Sequence, residues 1–134
     1  MKKLQHFNEV TPIERILSSA SYFTAGMVGF VWLIIAALMK RRVTPFLMYH
    51  IMQSIFVAIT LYLLFAYCNL ISAIPILNNI VLLLKQPIGI FYGFSILQLF
   101  TSGLSLYLII TSFMGMYSYI PWVSDIINTN IGRR

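Results

Sequence analysis

Residues 46–70 read FLMYHIMQSIFVAITLYLLFAYCNL and carry no charged side chain. About 20 consecutive, predominantly apolar residues are enough for a helix to cross the hydrocarbon core of a bilayer. This stretch therefore predicts a membrane-spanning helix over about 46–70. It belongs to one of three uncharged runs in the chain, which cover residues 16–39, 43–84 and 86–124.

The composition of the whole chain agrees with a membrane protein. Of its 134 residues, 60% are hydrophobic and 9% are charged, and the mean hydropathy is +0.88. Soluble domains carry about a quarter charged residues, so a soluble globular protein, a disordered chain and a secreted disulfide scaffold are excluded. The one cysteine, Cys68, cannot form an internal disulfide and is expected to be a small apolar filler. We predict an all-α, polytopic membrane protein that forms a single integral membrane domain over residues 1–134.

The first uncharged run predicts another spanning helix. Thr11 can cap a helix that has Pro12 at its first position and Glu14 at its third, which is the capping-box pattern. Since no proline interrupts the run, we expect one helix from about Pro12 to about Met39, crossing the bilayer over about 19–39. Small residues recur on one face of this helix, where they let helix backbones approach closely in lipid. This face, expected to contact protein, consists of Ser18, Ser21, Ala25, Gly29 and Ala36.

The last uncharged run predicts a third spanning helix over about 94–116. Tyr117, Tyr119 and Trp122 follow it and are typical of an aromatic anchor at the membrane interface. Pro121 is expected to end the helix, because proline lacks the amide proton that a helix interior needs.

The segment 74–92 contains polar and helix-breaking residues, among them Pro75, Lys85 and Pro87. A full span here would bury a charge and accommodate a proline, which is costly in hydrocarbon. We expect an interfacial or re-entrant helix followed by a loop, with a fourth, distorted span as the alternative. The tail from Asp125 to Arg134 is expected to be short and polar.

Uncharged polar side chains on two of the helices are the candidate functional residues. His50, Gln53 and Ser54 are spaced so that they lie on one helix face. Such side chains either hold helices together or line a path through the membrane, and both interpretations stay open. The last helix carries four further candidates on one face: Gln98, Ser102, Ser105 and Ser112.

The charged residues indicate topology rather than chemistry. The acidic residues Glu9, Glu14 and Asp125 lie outside the predicted spans, and no His or Cys pair has metal-ligand spacing. Catalysis needs positioned acids, bases, nucleophiles or a metal, and ion-coupled transport normally uses an intramembrane charge. We therefore expect no enzymatic activity, no cofactor and no metal. The basic residues lie at the ends of apolar runs, which favours contact with membrane lipid over binding of nucleic acid.

The positions of Lys and Arg predict an orientation. With three spans, the loop at 40–42 and the C-terminus share a side with five basic residues, against four on the other side. The three consecutive charges adjoin two spans, so this side is expected to be cytoplasmic or stromal. The polar, acid-containing start of the chain is unlike a secretory signal or a transit peptide, so we expect the protein to be made where it works.

Three local patterns occur in order along the chain. Residues 14–22 read ERILSSASY, residues 46–55 read FLMYHIMQSI, and residues 115–124 read GMYSYIPWVS. Together these blocks resemble the twenty-kilodalton subunit family of the protein translocon at the chloroplast inner envelope membrane, which has cyanobacterial and plastid-encoded relatives. The blocks are similar to the family's Glu-Arg-hydrophobic-Leu-Ser-Ala-x-x-Tyr, aromatic-Asn-x-Met-Gln-Ala and Gly-x-Tyr-x-x-Ile-Pro-x-Ile-Ser segments. The chain departs from them at His50, where the family usually has Asn, and at Met48, where it often has Arg.

The resemblance implies a non-enzymatic subunit of a protein-import channel, with its C-terminus in the stroma. It places the protein in the plastid inner envelope or, for a cyanobacterial relative, in the inner membrane. The family typically has four spans, whereas this sequence predicts three. Since three spans cannot enclose a peptide-wide pore, we expect a homo- or hetero-oligomer with other translocon subunits, which would contact translocating precursor proteins. The alternatives are a scaffolding membrane protein of another complex and a small holin-like pore.

Overall fold

The computed structural model describes residues 10–87, 89 and 93–131, most of which are helical. An isolated antiparallel bridge joins Pro87 and Ser95. The predicted all-α class is therefore confirmed for the described residues. In chain order the helices are α1 (Pro12–Phe23), α2 (Met27–Leu38), α3 (Pro45–Ile71), α4 (Pro75–Lys85), α5 (Ile96–Phe113) and α6 (Val123–Ile131).

Two of these helices, α3 and α5, are long and apolar enough to cross a membrane. α3 has 27 residues and α5 has 18, which correspond to about 40 Å and about 27 Å. α3 confirms the helix predicted over 46–70, and α5 lies within the helix predicted over 94–116. Few of their side chains are covered by the rest of the chain, since 11% of the most apolar stretch of α3 and 17% of that of α5 are buried.

The predicted first span over 19–39 is wrong as one continuous helix. α1 ends at Phe23, α2 begins at Met27, and each helix has 12 residues. Between them Ala25 and Gly26 have φ values of 52° and 90°, in the left-handed region. Two successive residues with positive φ reverse the chain, so the helix cannot continue through them. The predicted capping box at the start of α1 is confirmed.

The reversal between α1 and α2 is a Schellman turn that packs against α3. The Gly26 amide donates to the Ser21 carbonyl at 2.6 Å, and the Ala25 amide donates to the Tyr22 carbonyl at 3.4 Å, the pairing typical of this motif. A Cβ atom at Gly26 would lie 2.6 Å from Cγ1 and 3.2 Å from Cα of Ile55. Glycine is therefore required here both by the backbone conformation and by the close approach to α3.

α1 and α2 pack against each other as an antiparallel pair, which we call the N-terminal hairpin. A Cβ atom at Gly29 would lie 2.6 Å from Ser21 Oγ on α1 and 2.8 Å from Ile51 Cγ1 on α3. This close approach explains why small residues recur on the inner face of the hairpin. Ala25, at the turn, is exposed, so its predicted contact with protein is wrong. The other four small residues are buried: Ser18, Ser21, Gly29 and Ala36.

The two ends of α1 lie beside two different points of α3. At the beginning of α1, the Glu14 carboxylate accepts a hydrogen bond from Thr44 Oγ1 at 2.6 Å. Near the end of α1, the Tyr22 hydroxyl donates to Gln53 Oε1 at 2.7 Å. α1 therefore runs parallel to the first half of α3. α2 runs back in the opposite direction and is followed by a short link into α3.

α5 ends at Phe113, earlier than predicted. Gly115 has a φ of 74°, and the amides of Gly115 and Met116 donate to carbonyls of the last helical turn at 3.0 Å each. This is again a Schellman motif, which satisfies carbonyls that a helix end leaves free. The prediction that Pro121 ends the helix is wrong, because the glycine ends it first.

The chain after α5 is more ordered than a short polar tail. α6 covers Val123–Ile131, so it includes most of the stretch predicted as the tail from Asp125 onward. Ser124 and Ile127 are both buried, at 0% and 2% exposure. One side of α6 therefore packs against the protein. The last part of the predicted tail, residues 132–134, lies outside the described residues.

The chain forms two compact units. One contains the N-terminal hairpin, α6, α3 up to Ala58 and α5 from Tyr107, and the other is Ile59–Leu106. In the second unit, Lys85 Nζ at the end of α4 donates to Asn69 Oδ1 near the end of α3, at 2.7 Å. If α4 ran antiparallel along α3, Lys85 would lie about 16 Å from the C-terminal end of α3 and could not reach Asn69. α4 therefore does not run back along α3.

α4 is the helix within the ambiguous segment 74–92. Its 11 residues span about 16 Å, about half of a 30 Å hydrocarbon core, so α4 is too short to cross. The prediction for this segment is a short helix followed by a loop. The described residues agree with it, because α4 ends at Lys85 and residue 86 is not helical. Residues 88 and 90–92 lie outside the described residues.

Candidate functional site

A cluster of buried polar side chains lies where α1, the start of α3 and the segment between α5 and α6 meet. It consists of Tyr22, His50, Gln53, Ser118 and Ser124, and we call it the buried polar cluster. The Tyr22 hydroxyl lies 2.8 Å from His50 Nδ1 and 2.7 Å from Gln53 Oε1. Ser118 Oγ donates to Gln53 Oε1 at 2.8 Å. Gln53 Nε2 donates to the Ser118 carbonyl at 3.2 Å and to Ser124 Oγ at 3.3 Å.

The hydrogen-bond pattern assigns the proton on the imidazole. Tyr22 has one hydroxyl proton, and Gln53 Oε1 can only accept, so Tyr22 donates to Gln53. The Tyr22 oxygen must then accept from His50, which requires the proton on Nδ1 and leaves Nε2 as an acceptor. The same reasoning fixes the amide of Gln53, because its nitrogen faces the Ser118 carbonyl. The cluster is a directed network in which Gln53 connects all three elements.

Aromatic rings surround His50. The ring centroid of Phe46 lies 4.5 Å from that of His50, Tyr49 lies at 5.4 Å, and Tyr22 lies at 5.7 Å, all edge-to-face. Tyr117 stacks on the imidazole at 6.0 Å with an angle of 16° between the planes. These rings hold the imidazole in one orientation and enclose it completely, since His50 has 0% exposure.

The non-helical segment between α5 and α6 obtains its hydrogen bonds from α3 and from Ser124 at the start of α6. The Tyr49 hydroxyl donates to the Ser118 carbonyl at 2.7 Å and lies 2.9 Å from Ser124 Oγ. The Ile120 amide donates to Ser124 Oγ at 2.8 Å. Irregular backbone between apolar helices is stable only when protein groups satisfy it. The polar side chains of α3 therefore fix the position of this segment.

Two buried side-chain nitrogens in the described part of the chain have no hydrogen-bond partner: His50 Nε2 and Arg15 Nε. The imidazole lies beside the backbone of Met116, but Nε2 makes no hydrogen bond of normal geometry. The Arg15 guanidinium lies over Gly115, where a Cβ atom would be 3.0 Å from Nε. A cation at this position is favourable, because the C-terminal end of α5 carries partial negative charge.

α1 and α5 contact each other through their serines. Ser112 Oγ donates to Ser18 Oγ at 2.5 Å, and both side chains have 0% exposure. One turn earlier on α5, Ser19 Oγ lies 3.4 Å from the Ile109 carbonyl. Together with Arg15 above the end of α5, these contacts make α5 antiparallel to α1. Small hydroxyl side chains suit this contact, because they allow close approach and add hydrogen bonds across helices.

Three of the seven predicted site residues lie in these contacts, and a fourth, Ser54, is buried elsewhere on α3. His50 and Gln53 belong to the buried polar cluster, and Ser112 bonds Ser18 on α1. Ser54 is 2% exposed and donates to the Ile51 carbonyl of its own helix at 2.8 Å. Within the single chain all four side chains are buried, and His50, Gln53 and Ser112 bond residues on other elements.

The other three predicted site residues lie on the part of α5 within the second unit. Gln98 forms a capping box with Ser95, because Gln98 Oε1 accepts from the Ser95 amide at 2.9 Å and Ser95 Oγ accepts from the Gln98 amide at 3.2 Å. Ser105 is half-buried and donates to the Thr101 carbonyl at 2.9 Å. Ser102 is exposed. The polar face predicted on α5 is therefore exposed at Gln98 and Ser102, half-buried at Ser105 and fully buried at Ser112.

Sequence reasoning missed four hydroxyl residues of the site as candidates: Tyr22, Tyr49, Ser118 and Ser124. Tyr22 and Ser124 each end one of the blocks that carry the family resemblance, which is the signal that points to them. Tyr117 was predicted as an interfacial anchor but stacks on His50. The other two anchor residues, Tyr119 and Trp122, are 57% and 82% exposed.

Glu14 supplies the charged contact at the start of the hairpin. Its Oε2 accepts from the backbone amide and the hydroxyl of Thr11 at 3.0 Å each, and its Oε1 accepts from Thr44. Partial burial raises the pKa of the carboxyl, but the hydrogen bonds from Thr44 and Thr11 together lower it by more than burial raises it. The pKa therefore lies below its ordinary value of 4.5. The ionised carboxylate therefore ties the start of α1 to the start of α3 at neutral pH.

Comparisons of this chain with protein-family models, with curated proteins and with solved structures found no match.

Proposed function

We propose that this chain is a non-enzymatic integral membrane subunit of a protein-import translocon, of the kind found in the plastid inner envelope. One observation carries the proposal. The three blocks that resemble the translocon subunit family, 14–22, 46–55 and 115–124, are far apart in sequence. All three nevertheless contribute side chains to the same buried polar cluster.

Each block supplies a different part of that cluster. The first block contributes Tyr22, the second contributes His50 and Gln53, and the third contributes Ser118 and Ser124. Side chains from all three blocks thus meet in one hydrogen-bonded contact. Their meeting supports a shared packing unit, in which residues distant in sequence are kept together because they fold together.

The proposed path for the polypeptide lies between this chain and other subunits. Two candidate spanning helices cannot enclose a pore, so a conduit needs further copies or partner subunits. On α5, Ser102 and Gly103 are exposed, and no atom of the described residues lies within 4 Å of a Cβ atom placed at Gly103. A small, uncharged polar surface on a spanning helix offers hydrogen bonds to a passing chain without binding it by charge. This surface is the part of the predicted face that suits contact with a precursor.

The buried polar cluster supports a structural role over a catalytic one. His50 is enclosed by aromatic rings, and the hydroxyl of Tyr22 is bonded to His50 and Gln53. A substrate would have no approach to either group while the helices are packed. We therefore propose that the chain acts through membrane lipid, other translocon subunits and precursor proteins. The plastid inner envelope is the proposed location, with a cyanobacterial inner membrane as the alternative.

Crosslinking from α5 to a precursor in transit tests this function. In a Cys68→Ala background, Ser102→Cys is expected to crosslink to a plastid precursor arrested during import. Phe100→Cys is the matched control, because Phe100 is 63% exposed and lies about 200° around the same helix. We expect the precursor adduct from residue 102 and little or none from residue 100, with import measured for both variants.

Two other outcomes would contradict the proposal. Crosslinks from residue 102 to neighbouring membrane proteins, with no precursor adduct at any stage of import, would favour a scaffolding subunit. A flux of small solutes through the purified protein, independent of any precursor, would favour a simple pore.

A further inference from the structure

The N-terminal hairpin is too short to cross a bilayer with either of its helices. α1 and α2 each have 12 residues and span about 18 Å, whereas the hydrocarbon core is about 30 Å thick. The start of α1 lies beside the start of α3, and only a short link joins the end of α2 to α3, so the chain leaves the hairpin near the level where it entered. The turn lies beside Ile55, about 15 Å along α3 from Pro45.

Polarity changes sharply from the ends of the hairpin to its turn. The ends carry Glu14 and Arg15 on one side and the basic residues 40–42 on the other, whereas residues 16–39 carry no charge. At the turn, Phe23 and Met27 are 83% and 65% exposed. An apolar tip with charged ends is the pattern expected when the tip lies in hydrocarbon and the ends lie at the headgroups.

The outer surface of the hairpin is also apolar. A groove of about 340 Å³ runs along it, and every residue that lines the groove is apolar: Leu17, Met27, Val28, Val31, Trp32 and Ile35. The polar side chains of the hairpin lie on the other side, where Ser18, Ser21 and Tyr22 are buried. A hairpin with its polar groups inside and an apolar groove outside is suited to contact with acyl chains and not with water.

We infer that the N-terminal hairpin is a re-entrant element that inserts into one leaflet of the bilayer, with lipid acyl chains covering its tip and its outer groove. It enters and leaves at the membrane face where α3 begins. Its backbone is satisfied in hydrocarbon, because both helices make their own hydrogen bonds and the turn between them is closed by the Schellman pairing. This inference is independent of the function proposed above.

A re-entrant hairpin changes the charge balance across the membrane. Of the nine Lys and Arg residues, only Lys85 lies between α3 and α5 in the sequence, and the other eight precede α3 or follow α5. If the hairpin does not cross, all eight lie on one side. With three spans, the two sides of the membrane carry five and four Lys and Arg residues, whereas with a re-entrant hairpin they carry eight and one. This distribution assigns the hairpin ends, the loop at 40–42 and the C-terminus to the cytoplasmic or stromal side.

Side-specific labelling tests the topology. In the full chain with Cys68→Ala, single cysteines are introduced as Gln5→Cys, Arg42→Cys, Asn128→Cys and Gln86→Cys. A membrane-impermeant maleimide is expected to label the first three from one side and Gln86→Cys only from the other. Labelling of Gln5→Cys and Arg42→Cys from opposite sides would overturn the inference, because it would mean that the segment between them crosses.

The depth of the turn provides a second test, which separates insertion from a hairpin that lies on the surface. In a chain with Trp32→Phe and Trp122→Phe, Phe23→Trp reports the tip and Ile13→Trp, 66% exposed at the start of α1, is the matched control. In phosphatidylcholine vesicles we expect the tip tryptophan to be quenched most by bromines deep in the acyl chains, and the control most by bromines near the headgroup. Equal, shallow depths for the two positions would overturn the inference.

Discussion

Gly26→Ala is expected to destabilise the protein by about 2–5 kcal/mol, because two costs act at one position. A side chain at a left-handed φ costs about 1–2 kcal/mol, and the φ of Gly26 is 90°. The added methyl would lie 2.6 Å from Ile55 Cγ1 and 3.2 Å from the Cα of the same residue, so part of the clash is with backbone that cannot rotate away. Overpacking of this kind costs about 1–3 kcal/mol. The measurement is the free energy of unfolding of both proteins in the same detergent or bicelle.

Gly103→Ala is the matched control for this substitution. Gly103 lies in the middle of α5, and within the described part of the chain no atom is within 4 Å of a Cβ atom placed there. Alanine is a better helix former than glycine by up to about 1 kcal/mol, so this variant is expected to be as stable as the parent or more stable. A Gly26→Ala variant that unfolds like the control would show that the turn is not packed against α3.

Gln53→Leu is expected to cost about 1–3 kcal/mol of unfolding free energy. Gln53 accepts from Tyr22 and Ser118 and donates to the Ser118 carbonyl and to Ser124. The Ser118 carbonyl keeps its bond from Tyr49, but the hydroxyls of Tyr22 and Ser118 both lose their acceptor inside the protein. An unsatisfied buried polar group of this kind carries the stated cost.

Gln98→Leu is the matched control, because both glutamines are candidate residues predicted from the sequence, but Gln53 is buried and Gln98 is exposed. Gln98 is exposed and only completes the cap at the start of α5, so its loss is expected to cost less than about 1 kcal/mol. Equal costs for the two substitutions would contradict the assignment of Gln53 as the centre of the buried polar cluster.

The parts of the fold that follow local rules could be predicted from the sequence. The helix over 46–70 appears as α3, because an uncharged run of this length has few other stable forms. The cap formed by Thr11 and Glu14 depends on residues only three positions apart, and it is present as expected. The end of α5 was misplaced because Gly115 and Pro121 both break helices, and sequence alone did not show that the glycine acts first.

The hairpin turn could not be predicted from the same kind of rule. A single glycine is common inside membrane helices, and an uninterrupted apolar run favours one long helix. The reversal at Gly26 packs against Ile55 of α3, which is 29 positions away in sequence and so outside the reach of a local rule. The missed reversal also changed the predicted topology, because it turned one crossing into two short helices.

Some of the candidate residues are buried and others are exposed, for a related reason. Ser102 and Ser112 have the same side chain on the same helix, and periodicity places them on the same face. Ser112 is buried because Ser18 on α1 lies against it, whereas Ser102 is exposed. Periodicity identifies a polar face, but only the position of the other helices determines which part of the face is covered.

Isolation of a precursor arrested during import tests most directly whether this chain is a translocon subunit. The arrested precursor is recovered through its own affinity tag in a mild detergent, and this chain is measured by quantitative mass spectrometry. The account predicts that the chain is recovered with the arrested precursor, together with other membrane subunits, and is lost from the precursor once import is completed. Absence of the chain from the arrested precursor, while known subunits of the same translocon are recovered, would contradict the account.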